Sequence, residues 1–449
     1  MALDAERARD GFFALVDDAI ATLQPGEVLL ANGTGETSDF VRLNGGKVRQ
    51  AGTVEQASIA LDLIAGQRHV TALVTISGDR DVDRAHVRWT LDQLRTERTI
   101  VPEDPHLLYD ETPWTAEGVR TGTLPAPDGV LAAVGDLAAR LDLVGLWAAG
   151  AVHRGFASSL GHRVWHTATS FHLDFSVYVS GDLAVKNAYA GTQWDDAALA
   201  ARFRDAEHQL ALLKRPGVAL PPGRYDAYLE PAAVAEIIRL LGWGGFGCRA
   251  HQTKSSPLIR MAADGDGARL DPQVTLREHT AGGVAPPFQQ HGFRRPDAVD
   301  LVRDGALCDT LVSPRSAREF GIPTNGANAD ETPESIELGG GTLPRRDALA
   351  RLGNGVWLGN LHYLNYSDRQ HCRTTGMTRF ACFRVEHGEI IGPLRPLRFD
   401  ETLYRLLGPQ LVALTAERDL LLAGDTYGGR STASTHVPGA LVSEMTFTL

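Results

Sequence analysis

Between Arg163 and Val179 the chain alternates bulky apolar and polar side chains at nearly every second residue, a period that belongs to an extended strand. Trp165, Phe171, Leu173, Phe175, Val177 and Val179 fall on one face, and His162, His166, Ser170, His172, Asp174 and Ser176 on the other. The three histidines invite a metal reading, but strand residues four apart lie ~13 Å apart at ~3.3 Å per residue. Ligands on one zinc must bring their nitrogens within ~2.0–2.1 Å of the ion. The expectation is a polar strand face turned toward a substrate, with no metal.

The 449 residues exceed one ordinary core and imply two or three domains. A hydrophobic content of 43% with 22% charged residues is that of a soluble globular chain. Forty-seven glycines against four methionines favour turns and β-structure over a helical bundle. The net charge of −11 argues against a nucleic-acid surface, which needs clustered Lys and Arg. No apolar run approaches the ~20 residues that span a bilayer, and Met1–Leu23 lacks the basic start and apolar centre of a signal peptide. Cys248, Cys308, Cys372 and Cys382 form no C-x-x-C pair, which suggests reduced thiols in a cytoplasmic protein.

Residues 1–23 carry Phe12, Leu15, Val16, Ala19, Ile20 and Leu23 at helical spacing. Strands are expected at 27–31, 39–43 and 47–51, the last two joined by Asn44-Gly45-Gly46, and at 69–77. Residues 80–97 return to helical spacing with Val82, Val87, Leu91 and Leu94 inward, 101–126 reads as a long loop, and 129–141 as a helix. Long strands follow over 146–189, then a helix at 195–213. The Pro/Gly-marked segment 214–224 divides an α/β part, 1–215, from a large, mostly antiparallel β part, 216–449. The fold class expected is therefore α+β. Turns are expected at Gly282-Gly283, Asp304-Gly305, Gly339–Gly341 and His387-Gly388, and one late helix at 401–414.

Gly242-Trp243-Gly244-Gly245-Phe246-Gly247 satisfies G-x-G-x-x-G, but the dinucleotide fingerprint needs a strand before it and a helix after it. Here a helix precedes and Cys248-Arg249-Ala250-His251 does not begin a convincing one, so a close-packed turn is the better account. No Gly-x-Ser-x-Gly elbow occurs. Arg369, His371, Arg373 and Arg379 form a basic group suited to a carboxylate, a phosphate or a peptide terminus.

After the 214–224 loop, Tyr225–Leu229 reads as a strand, and Glu230-Pro231 opens an apolar helix, 232–241, with Pro231 at its first position. That helix carries Glu236 and no histidine. With this stretch, Ser38–Val48, Ser158–His162 and the strand ending at Val177 resemble the TldD/PmbA family, also called modulators of DNA gyrase or U62 peptidases. Leu301–Leu307, Ser316–Ala327 and Val385–Leu394 continue the match in order. The resemblance implies a heterodimer of two branches around an internal cavity. One branch bears His-Glu-x-x-x-His on this helix and a C-terminal cysteine as zinc ligands; the TldE or PmbA branch lacks both. This chain has neither, with Asp425-Thr426-Tyr427-Gly428-Gly429-Arg430 at the C-terminal position. The resemblance thus implies a subunit without cofactor or catalytic residues of its own, paired with a zinc-bearing TldD-like homologue and acting on unfolded or small peptides. Alternatives are a homodimer that binds a peptide or small molecule, a site built on His162, His166, His251 or the 369–379 group, and maturation of a peptide natural product.

Overall fold

The computed structural model describes residues 2–181, 183–262 and 266–448. Helix α1 (Ala2–Ile20) buries Phe12, Leu15, Val16 and Ala19 against the first sheet, as its spacing predicts. Strands β1 (Val28–Asn44), β2 (Lys47–Ala65) and β3 (Arg68–Ile76) then form an antiparallel meander. Gly45 and Gly46, at φ 59° and 69°, supply the left-handed pair that the tight β1–β2 turn demands. These strands are much longer than the short segments expected. Residues 32–38 are polar and glycine-rich, yet β1 pairs on both sides, and tertiary pairing overrides local propensity there.

Helix α2 (Arg80–Arg98) starts at Asp79, whose carboxylate accepts from the amides of Asp81 and Val82. Val87, Leu91 and Leu94 face inward, but Val82 does not; it is 57% exposed. Asp83 takes the inward position, because its carboxylate accepts bonds from Ser77 N, Ser77 Oγ and Gly78 N. The expected 101–126 loop contains a strand, β4 (Thr115–Arg120), which runs parallel to a later strand. There follow α3 (Pro127–Ala138), β5 (Asp142–Ser158), β6 (Arg163–Ser180), β7 (Leu183–Gly191) and α4 (Asp196–Leu213). The first sheet has the order β3-β2-β1-β5-β6-β4, with β7 also pairing with β6.

The second half begins with β8 (Gly223–Leu229), α5 (Pro231–Gly242) and α6 (Cys248–Gln252). Next come β9 (Leu276–Glu278), β10 (Val299–Arg303), β11 (Ala306–Leu307), α7 (Pro314–Phe320), β12 (Ser335–Leu338) and α8 (Ala348–Leu352). The chain ends with β13 (Gly355–Asp368), β14 (Arg373–Glu386), β15 (Glu389–Pro393), β16 (Arg398–Thr402), α9 (Leu403–Leu406), β17 (Leu411–Leu422) and β18 (Ser434–Phe447). These strands make one eleven-stranded sheet, antiparallel except for β12–β18 and β8–β13. Because β8 pairs with both β13 and β18, the pairings β8-β13-β14-β16-β18 close on themselves around α5's apolar face.

The helix expected over 401–414 is wrong. Only the single turn α9 forms; Gly408-Pro409 stops it, since proline cannot donate to a continuing helix, and 411–422 becomes β17 paired with β18. The fold is α+β. The halves are not separate bodies: Trp147, Phe171, Phe175 and Phe203 share one core with Tyr228, Trp357 and Phe383.

Candidate functional site

Helix α5 forms where it was expected, with Pro231 first and Ala233, Val234, Ile237, Ile238 and Leu241 buried in the second core. Glu230 precedes it without capping it; its carboxylate accepts instead from Trp357 Nε1 at 3.1 Å. The partly open face carries Ala232, Glu236 and Arg239. Glu236 and Arg239 pair at 3.4 Å, and Arg239 Nε donates to Thr435 Oγ1 on β18 at 3.3 Å. Nearby on β13, the His362 imidazole is held below its usual range by burial and by the positive charge of Arg379, against the pull of Glu236. Lys186 adds to the depression.

This wall does not fit a zinc ion. A catalytic zinc needs three protein ligands and an open position. The helix offers one carboxylate already paired with Arg239, and the adjacent imidazole sits among cations. Among the described residues, no group of three or more His, Cys, Asp or Glu is placed to hold a metal. The stretch 425–430 supplies no thiol.

The histidine face of β6 is buried from His166 to His172 and opens to solvent only at Asp174 and Ser176. His162 is fully buried, with Nδ1 2.7 Å from Ser158 Oγ and Nε2 3.9 Å from Asp110. His166 lies under the second half, its Nε2 donating to Val284 O at 3.1 Å. His172 lies close to the Arg430 guanidinium, whose charge disfavours protonation of the ring. Burial pushes His166 and His172 each down to about 4, so both rings are neutral. The three sit at separate points along the strand and converge on nothing.

What closes this face is the loop before β18. Arg430 inserts its guanidinium into the first sheet, donating to Gly150 O at 3.1 Å and to Ser170 O and Oγ at 2.8 and 2.7 Å. Its amide donates to Glu36, which also accepts from Ser38 Oγ and Gln56 Nε2. Burial lowers Arg430 to about 10, with Glu36 opposing.

The basic group of 369–379 is dispersed. Arg369 closes the C-terminal end of α5, donating to Trp243 O at 2.5 Å and to Ser255 O at 2.8 Å, where a cation meets the helix's negative pole. His371 pairs with Asp368 at 2.8 Å, Arg373 with Asp400 at 2.5 Å, and Arg379 lies over the Phe380 ring. His251 bonds to Gly245 O and Ser256 Oγ, and so braces the glycine-rich turn after α5. Contrary to expectation a short helix, α6, does start at Cys248 after that turn, but the element before it is a helix and not a strand, so the dinucleotide fingerprint is absent.

A constellation that no local pattern foretells lies on the second sheet. Glu337 on β12 lies opposite His436 on β18. Its carboxylate is 3.1 Å from His279 Nδ1, 3.1 Å from Arg418 and 3.6 Å from His436 Nδ1. Burial raises the Glu337 carboxyl, but the His279 bond and Arg418 more than offset this and hold it below the usual range. All four groups are only partly buried. A carboxylate that orients two imidazoles can relay a proton or hold a polar group of a bound chain. Sequence spacing could not find it, because the four residues come from four separate segments.

A cavity of about 1070 Å³ opens elsewhere, between α1 and the first sheet. Its floor is low because Gly33, Gly35 and Ala57 have little or no side chain, and Thr37, Glu55 and His153 line it. It contains none of the candidate site residues named from sequence, though Phe12, Leu15 and Trp165 line it.

Residues 222–449 match the family model of the PmbA/TldA metallopeptidase C-terminal domain. Among solved structures, TldE from Thermococcus kodakarensis superposes with a TM-score of 0.76 at 13% identity, covering 98% of this chain and 100% of that one. A Thermotoga maritima protein described as a candidate modulator of a DNA gyrase gives 0.74 at 12% identity, covering 99% and 100%. A Bacteroides thetaiotaomicron protein so described gives 0.74 at 14% identity, covering 98% of each. A search of the curated proteins finds no match.

Proposed function

The chain belongs to the PmbA/TldD metallopeptidase family, and from that premise we propose that it is the zinc-free subunit of a heterodimeric, cytoplasmic peptidase acting on unfolded or small peptides. The observation that carries the reading is the open face of α5. At the helix where the family resemblance places a zinc motif, this chain presents a Glu236–Arg239 ion pair beside cations. Zinc on the partner subunit would supply the hydrolytic chemistry. This chain's residues would bind and orient: the open face of α5 offers alternating charges and hydrogen-bonding atoms to the backbone of an extended peptide. The likeness to a TldE supports the reading at the level of fold.

The test is assembly. Co-expression with the zinc-bearing homologue of the same organism should give one complex with equal amounts of both chains on gel filtration. Separate elution of the two chains would overturn the proposal. A second reading, a binding protein without a peptidase partner, is favoured by the cavity under α1, large enough for several amino-acid residues or a cofactor-sized molecule. It would gain ground only if separate elution were accompanied by ligand-dependent stabilisation of the chain alone.

A further inference from the structure

The free edge of the first sheet carries an inference independent of the heterodimer. Strand β3 has a single neighbour, β2, paired from Arg68↔Ala65 to Ile76↔Ala57 without a bulge. Among the described residues, no backbone bond other than β2's reaches Arg68–Ile76. Proteins usually blunt such an edge with lysine, proline, a bulge or a cover. From Val70 to Ile76 the sequence is Val-Thr-Ala-Leu-Val-Thr-Ile, with no charge, proline or glycine, and Leu73 is 68% exposed.

The helix over this edge continues the pattern. On α2, Arg84 pairs with Asp18, and Arg95 bonds Thr22 O and Glu27, so that flank belongs to the α1 side. Val82, His86 and Trp89 recur at i, i+4 and i+7 on the opposite flank. Val82 and Trp89 are 57% and 59% exposed, and the rings of His86 and Trp89 lie 6.1 Å apart. An unprotected strand edge and an apolar helix flank therefore stand side by side.

We propose that β3 pairs antiparallel with β3 of a second copy of this chain, joining two sheets into one continuous sheet with the two α2 flanks facing each other. A two-fold axis through Leu73 keeps matched faces together, because opposed residues then differ by an even number of positions. It sets Leu73 against Leu73, Thr71 against Thr75 and Val70 against Ile76, all favourable cross-strand partners. It also brings Arg68 of each copy to the Gly78-Asp79-Arg80 end of the other. The edge thus matches a copy of itself.

Sedimentation equilibrium and light scattering on the purified chain should give twice the chain mass. Leu73→Lys, which places a charge at the centre of the pairing on an exposed position, should halve that mass with an unchanged circular dichroism spectrum and melting temperature. In a Cys308→Ser background, Leu73→Cys should form a disulfide-linked dimer under mild oxidation, a result that does not depend on the lysine variant folding. A monomeric wild-type chain, or a dimer that survives Leu73→Lys, would overturn the proposal. Either result leaves the heterodimer untouched, since that is tested by co-elution with a different chain.

Discussion

At the scale of single residues, Arg430 ties the last loop of the chain to the first sheet. Its guanidinium satisfies the buried Ser170 and the part-buried carbonyl of Gly150. Arg430→Ala would leave the Ser170 acceptors buried without this donor, and should lower stability by about 2–4 kcal/mol, read as a shift in urea midpoint. A midpoint unchanged from wild type would show that the loop is held by other contacts. The buried histidines make a pH prediction. The unfolded chain protonates His166 and His172 near 6.5, whereas the folded chain does so only near about 4. Their contribution is complete above pH 6.5 and is lost as the pH falls toward 4. Glu230, raised to about 7 by burial, acts in the opposite sense, its share being lost as the pH rises from 4.5 to 7. These three groups alone leave a net loss of roughly 1–2 kcal/mol between pH 7 and 5. His162, His251 and His291, also depressed by burial, act in the same direction and Glu278, raised by burial, against it, and His172→Gln should diminish the loss. Stability that rises on acidification, measured by urea unfolding at both pH values, would contradict this. The alternation of β6 was legible in sequence, because parity alone sorts its side chains into faces. The burial of the polar face was not, since its covers, Val284 and Arg430, lie more than a hundred residues downstream.

At the scale of elements, local punctuation was readable and long-range competition was not. Pro231 and an apolar run suffice to place α5, and Gly45-Gly46 to place the first hairpin. Residues 403–414 have helical spacing as well, but β18 recruits 411–422 as a partner strand once Gly408-Pro409 has ended the helix. The β1–β5 pairing rests on one glycine. Gly150 sits at φ 147°, and a Cβ there would lie 2.1 Å from Thr37 O. Gly150→Ala should cost more than ~3 kcal/mol, or prevent folding, with a correspondingly lower melting temperature; a near-native melt would show that β1 and β5 can separate cheaply. Glu236 on α5 should be far more tolerant. Its side chain is 38% exposed and its ion-pair partner among the described residues is Arg239, so Glu236→Gln should change stability by less than ~1 kcal/mol. If its role is only to line the wall, the same substitution should also leave peptide hydrolysis by the assembled complex largely intact.

At the scale of the whole molecule, two sheets are locked through a shared core, through Arg202–Asp419 between α4 and β17, and through the Arg430 loop. No described helix is long and apolar enough to cross a membrane. With a net charge of −11, the chain should show no salt-sensitive duplex binding in an anisotropy titration. The donor set of α5 leads us to expect far less than one zinc per chain by elemental analysis of the isolated protein. The most direct measurement of the central claim follows cleavage of one unstructured peptide by this chain, by its zinc-bearing homologue, and by the two together. The account predicts no cleavage by this chain alone and full activity only in the mixture; cleavage by this chain alone, or equal activity of the homologue without it, would contradict it.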